Sequence, residues 1–269
     1  MKRITTFLFA LLLFSYVYAD VDTIQVYSKT MGRNIPAIVV TPAGYNTSVK
    51  LPVVYLLHGH GSNYLRWITE CPDIKKEADK YNFILVCPDG ANSWYWNSPV
   101  DPKSQYETFI SKELVDYIDS KYSTISNRTG RAITGLSMGG HGALYLAFKH
   151  QDIYGAAGSM SGGVDIRPFP KNWDMALMLG SYADQPERWE KNTVINLLHL
   201  LTPNSLSIII DCGYEDFFYD VNMNLHQQLL YRNIPHDFIT RPGAHNWNYW
   251  KNAVKYQLLY FRQYFDTAK

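Results

Sequence analysis

The chain has 269 residues and a net charge of +1 with no basic stripe, so a nucleic acid is not an expected partner. Three cysteines (Cys71, Cys87, Cys212) cannot make a disulfide framework, although one pair could be bridged in an oxidising compartment. No two Cys or His stand at metal-ligand spacing, so no metal is expected, nor any other cofactor.

Residues 1–19 read as an export signal. Lys2 and Arg3 are a basic start, residues 7–14 are an apolar run too short to span a bilayer, and Val17 and Ala19 are the small residues of a cleavage site before Asp20. No Cys stands at that point, which argues against a lipid anchor. The expectation is an exported, soluble chain, periplasmic or extracellular. Its residues 20–269 suit one α/β domain with no integral membrane segment.

Residues 23–28 and 34–41 alternate as an antiparallel pair, with Met31-Gly32 near the turn. Residues 52–57 are a continuous apolar run, the mark of a strand buried on both faces. A helix is expected over 74–81, with Pro72 near its first turn, and a second buried strand over 83–87, closed by Pro88-Asp89-Gly90. Ser104 and Glu107 have capping-box spacing, opening a helix to about residue 122. Phe109, Ile110, Leu114, Tyr117 and Ile118 give that helix one apolar face.

A short strand over 131–134 then leads into Ser137, a helix over 138–150 leaves it, and a small-residue strand follows over 154–160. Strands over 206–210 and 237–241 flank a helix over about 217–232, and a last helix covers about 247–265. Such alternation predicts a mostly parallel central sheet with helices on both faces. Residues 164–203, irregular and rich in Pro and Trp, read as an insertion over the carboxyl edge of the sheet.

Gly135-Leu136-Ser137-Met138-Gly139 is G-x-S-x-G, the sharp strand-to-helix turn that exposes a serine oxygen. A hydroxyl is a weak nucleophile unless a histidine takes its proton and an acid orients the histidine. On this architecture the order along the chain is Ser, acid, His, each in a loop after a strand. His245 alone follows the last strand, after Pro242-Gly243-Ala244, whereas His226 and His236 fall in a helix and at a strand start.

Asp216 is the favoured acid because it lies in the loop beyond the strand, with Asp211 and Glu215 as alternatives and Asp211 suited to ordering the turn at Gly213. Two backbone amides would hold the oxyanion, those of Met138 and of His60 in His58-Gly59-His60-Gly61. A metal site at His58 and His60 is the lesser reading, since no acidic partner is near in sequence.

Taken together, Leu56-Leu57-His58-Gly59-His60-Gly61, Pro88-Asp89-Gly90, the elbow, the run Asp211-Cys212-Gly213-Tyr214-Glu215-Asp216 and Pro242-Gly243-Ala244-His245 resemble the esterase D / feruloyl esterase-like branch of the α/β-hydrolases. The match of order and spacing spans nearly all of residues 21–265. In the family's D-x-G-x-x-D run the second aspartate is the triad member, which falls on Asp216, and the resemblance implies the same two oxyanion donors. The HGxG form with an export signal resembles the exported carbohydrate esterases rather than the cytosolic S-formylglutathione hydrolases.

The resemblance implies a serine esterase acting on acetyl or feruloyl esters of plant polysaccharide. Acyl transfer to a sugar hydroxyl, as in mycolyltransferase relatives, is the alternative, and a non-catalytic carbohydrate-binding homologue the third reading. Trp94, Trp96 and Trp247 are the aromatics expected to stack on substrate, with Trp173 and Trp189 similarly placed and core packing an even alternative for the 93–97 run.

Overall fold

The computed structural model describes residues 19–268. All of the expected export signal except Ala19 lies outside the described residues. The first strand, β1 (Asp20–Ser28), pairs antiparallel with β2 (Arg33–Thr41), from Asp20 opposite Thr41 to Ser28 opposite Arg33. Gly32 supplies the positive φ of +65° that this turn requires.

The remaining strands are β3 (Val53–Leu57), β4 (Ile84–Pro88), β5 (Arg131–Gly135), β6 (Ala156–Met160), β7 (Ser207–Gly213) and β8 (Asp237–Arg241). They form one sheet in the order β1-β2-β4-β3-β5-β6-β7-β8. β2 runs antiparallel to β1 and β4, and every pairing from β4 to β8 is parallel. This is the mostly parallel α/β architecture that the alternation of strands and helices predicts.

The apolar runs follow from burial on two faces. In β3, Val53, Tyr55 and Leu57 join one core while Val54 and Leu56 join the other, and all five are fully buried. Each such side chain contributes about 1.5–3 kcal/mol by leaving water. On the second face lie α1 (Arg66–Glu70), α2 (Ile74–Tyr81) and the long C-terminal helix, through Trp67, Ile74, Ala78, Val254, Leu258 and Phe261.

The first face is covered by α3 (Tyr106–Thr108), a π turn (Phe109–Glu113) and α4 (Leu114–Lys121), then by α5 (Met138–Lys149). Between β6 and β7 the 164–203 segment is not wholly irregular. It holds α6 (Met175–Leu179), α7 (Pro186–Lys191) and a 3-10 stretch (Val194–Leu200). The last two helices are α8 (Tyr219–Tyr231) and α9 (Trp247–Thr267), the latter capped by the Asn246 side chain, which accepts from the Tyr249 amide at 3.2 Å.

The capping box expected at Ser104 and Glu107 does not form. The helix starts at Tyr106 with no side-chain cap, Ser104 Oγ turns to the Met178 sulfur at 3.5 Å, and Glu107 accepts from Tyr145, Lys149 and His150 at 2.8–3.0 Å. Three donors from the end of α5, one of them charged, outcompete a single backbone amide for the carboxylate. Burial alone would raise the Glu107 pKa, but these donors outweigh it and hold it down at about 2.

Candidate active site

The turn between β5 and α5 is strained as a nucleophile elbow requires. Ser137 sits at φ 57°, ψ −119°, and its amide donates to the Met160 carbonyl at 2.9 Å. A Cβ on Gly135 would stand 2.6 Å from the Gly139 backbone, and one on Gly139 would stand 2.5 Å from the Leu57 carbonyl oxygen. The two glycines are therefore demanded by close approach of backbones.

His245 reaches the same point from the loop after β8. Its Nε2 lies 2.9 Å from Ser137 Oγ, and its Nδ1 lies 3.0 and 2.9 Å from the two Asp216 carboxylate oxygens. An ionised carboxylate only accepts, so Nδ1–H donates to Asp216 and Nε2 remains to accept the serine proton. Asp216 is buried, and its Oδ1 also accepts from the Phe218 amide at 2.8 Å, which holds the carboxylate independently of the histidine.

Neither alternative acid is drawn to the histidine. Asp211, fully buried at the end of β7, accepts from Arg241 at 2.6 Å and from the Tyr249 hydroxyl, while Glu215 is exposed. Arg241 itself lies over the Tyr249 and Tyr256 rings at 4.9 and 4.6 Å. This brace ties the loops that carry Asp216 and His245 to each other. His226 and His236 pair with each other at 2.8 Å.

The Met138 amide begins α5 and the His60 amide lies in the loop after β3. Among the described residues neither has a backbone or side-chain acceptor, whereas the Gly61 amide is taken by Asn92 Oδ1 at 2.8 Å. His58 is a strut: its Nδ1 donates to the Gly59 carbonyl at 2.8 Å and its Nε2 accepts from the Gly90 amide at 2.8 Å. Burial pushes its pKa down. Both nitrogens are thus engaged, and among the described residues no group of three His, Cys, Asp or Glu is placed to hold a metal ion.

A cleft of about 350 Å³ opens at Ser137, walled by His60, Trp173, Phe217, Trp247 and Trp250. Trp247 reaches it as expected, half-buried against Trp67. Trp94 and Trp96 do not, and the stacking role expected of them is corrected. They are 1% and 0% exposed, stack on each other at 5.6 Å, and close around buried His141, whose Nε2 accepts from the Trp96 indole at 2.9 Å. Trp189 is also fully buried.

The family model described as "Putative esterase" matches residues 28–261. The chain belongs to this esterase family. It is a carboxylic ester hydrolase, with the α/β-hydrolase fold that its sheet displays. The esterase is 24% identical to an acetyl esterase of Caldicellulosiruptor saccharolyticus over 86% of this chain and 94% of that one. Its similarity to the diacylglycerol acyltransferase/mycolyltransferase Ag85B of Mycobacterium leprae is 29% identity, over 90% of this chain and 84% of that one. A solved ferulic acid esterase superposes with a TM-score of 0.79 at 28% identity, covering 93% of this chain and 100% of that one.

Sequence reasoning missed two walls of the esterase's cleft. Phe217 is 52% exposed, its ring centroid 4.2 Å from that of His245, and it stacks on Trp173 at 5.6 Å and 19°. Trp250 meets His245 edge-on at 4.8 Å and donates to Ser161 Oγ at 3.1 Å. Phe217 directly follows Asp216, so its place beside the histidine was implicit in the acid's. Trp250 sits inside a helical pattern whose periodicity says core and nothing more.

Proposed function

We propose that the esterase works through a Ser137–His245–Asp216 triad. Ser137 Oγ attacks the ester carbonyl carbon while its proton passes to His245 Nε2, and Asp216 steadies the imidazolium. The carbonyl oxygen becomes an oxyanion held by the Met138 and His60 amides. The bond to the alcohol breaks as Nε2–H protonates the leaving oxygen. Water then adds to the acyl-serine, giving its proton to Nε2, and the acid leaves as the proton returns to Ser137. The observation that carries this is the unbroken chain of contacts of about 2.9 Å from Ser137 through His245 to Asp216. Ser137→Ala is expected to remove turnover of p-nitrophenyl acetate by about four orders of magnitude or more. Full turnover by that variant would sink the triad.

The substrates we propose are acetyl or feruloyl esters carried on polysaccharide. The acetyl esterase relative, the ferulic acid esterase structure and the aromatic walls around Ser137 support this. Trp247 and the stacked Phe217–Trp173 pair are the surfaces offered to a sugar or a phenolic ring. Initial rates on p-nitrophenyl acetate, p-nitrophenyl butyrate, methyl ferulate and acetylated xylan separate the two acyl groups. Loss of rate with acyl length assigns the acetyl group, and a preference for ferulate assigns the phenolic one.

The mycolyltransferase relative favours one second reading, acyl transfer to a sugar hydroxyl from the same acyl-serine. Acylated sugar among the products, when sugar is present, would establish it. We also propose export, supported by Lys2, Arg3 and the apolar run before Asp20. N-terminal sequencing of protein recovered outside the cytoplasm should then begin at Asp20.

A further inference from the structure

Between β6 and β7 two consecutive non-glycine residues, Trp173 and Asp174, hold positive φ angles of 50° and 59°. A left-handed residue costs on the order of 1–3 kcal/mol and persists only where its surroundings hold it. Here the holding contacts are explicit. The Trp173 carbonyl accepts from the Trp94 indole at 3.0 Å, and its ring lies against Phe218 at 5.1 Å as well as Phe217.

The strain delivers the Asp174 carboxylate to the loop that follows β3. Asp174 Oδ2 lies 3.0 Å from His60 Nε2 and accepts from Asn92 Nδ2 at 3.3 Å. The other end of Asn92 closes the ring, because its Oδ1 takes the Gly61 amide at 2.8 Å. His60 and Gly61 are thus gripped by Asp174 and Asn92, while Gly59 is packed against Ser137, where an added Cβ would stand 3.3 Å from Ser137 Cβ. His60 lines the cleft, and its amide has no acceptor of its own among the described residues.

We propose that Asp174 is a positioning residue for the oxyanion hole. Through His60 Nε2 and Asn92 it fixes the plane of the 59–61 peptides, so that the His60 amide points to where charge develops on the substrate oxygen. The segment carrying Asp174 is then part of the catalytic frame as well as a wall of the cleft. This proposal rests on the His60 amide being an oxyanion donor. A donor aimed at the developing oxyanion acts in the transition state more than on bound ester, so its misplacement lowers kcat and leaves KM nearly alone.

The test is a series on p-nitrophenyl acetate with folding checked by thermal denaturation. Asp174→Ala should lower kcat about 10- to 100-fold with KM within about twofold, and Asp174→Asn, which keeps an acceptor for His60 Nε2–H, should recover most of it. In a His60→Ala background the Asp174→Ala effect on kcat should be clearly smaller, because the His60 arm of the contact is already gone and only the Asn92 arm remains. An Asp174→Ala effect that falls on KM, or that persists undiminished in the His60→Ala background, overturns the proposal in favour of a wall that merely shapes the cleft. Wild-type kcat in Asp174→Ala together with an inactive Ser137→Ala sinks the positioning role alone. Turnover surviving in Ser137→Ala sinks the triad reading beneath it.

Discussion

Asp216 presents both carboxylate oxygens to one histidine nitrogen, at 3.0 and 2.9 Å. Replacing it by Asn keeps the shape but offers Nδ1 an amide donor, which favours the tautomer with the proton on Nε2, where it cannot accept from Ser137. Asp216→Asn is therefore expected to lower kcat by about 10³–10⁴ with KM nearly unchanged. A loss under tenfold in steady-state kinetics would remove Asp216 from the triad. Gly139 carries a second residue-scale prediction. Its Cβ would stand 2.5 Å from the Leu57 carbonyl oxygen and 2.7 Å from that of His58, both backbone atoms that cannot swing away. Gly139→Ala should cost about 1–3 kcal/mol of stability and push the loop after β3 off Ser137, so kcat and Tm fall together.

At the scale of elements, the site depends on loops from β5, β7 and β8 meeting at one edge of the sheet. The last two are braced behind the reacting atoms by Asp211, Arg241 and Tyr249, and by the Glu215 amide donating to the Gly243 carbonyl at 3.1 Å. Asp211 is completely buried and the Arg241 side chain is 18% exposed. Removing the carboxylate leaves a mostly buried guanidinium without its counter-charge, which costs about 3–5 kcal/mol. In a chain of this length Asp211→Ala should then lower Tm by about 6–20 °C in calorimetry, with activity lost alongside. An unchanged Tm would show that the brace contributes nothing.

For the whole molecule, one buried and one half-buried group predict loss of stability in acid. His141 lies fully buried between Trp96 and the Gly163 carbonyl, and burial pushes its pKa down to about 4 against the opposing pull of the carbonyl. The unfolded chain therefore binds the proton first. Its stabilising share is complete above about pH 6.5 and drains away as pH falls towards 4, on the order of 3 kcal/mol in all. Glu107, held near 2, adds a share present above about pH 4.5 and lost as pH falls through 2. Thermal denaturation should be flat between about pH 7 and 8 and fall below about pH 6, and His141→Gln should flatten the upper part of that fall. A wild-type Tm constant down to pH 4 would exclude the assignment to His141.

Much of the frame is legible in the sequence. The apolar runs at 52–57 and 83–87 read as doubly buried strands because β3 and β4 do face two cores. Ser137 and His245 were legible as candidates from the elbow glycines and the order of loops along the chain, whereas Asp216 was the favoured one of three acids until the fold placed it at His245. The capping box misled, since Lys149 and His150 claim Glu107 from 42 and 43 residues away. Trp94 and Trp96 misled because composition marks an aromatic cluster without saying which side of the surface it lies on. Asp174 left no trace in the sequence, standing 114 residues from the histidine it grips. The sequence by itself determined the strand pattern, the strained serine turn and the types of residue available for ester chemistry, all set by steric and hydrophobic rules acting over a few residues. Only the tertiary structure decided which acid meets His245, which aromatics face the cleft and which side chains hold the loop at His60 and Gly61. Those contacts join loops far apart along the chain, and their partners are chosen by packing in three dimensions.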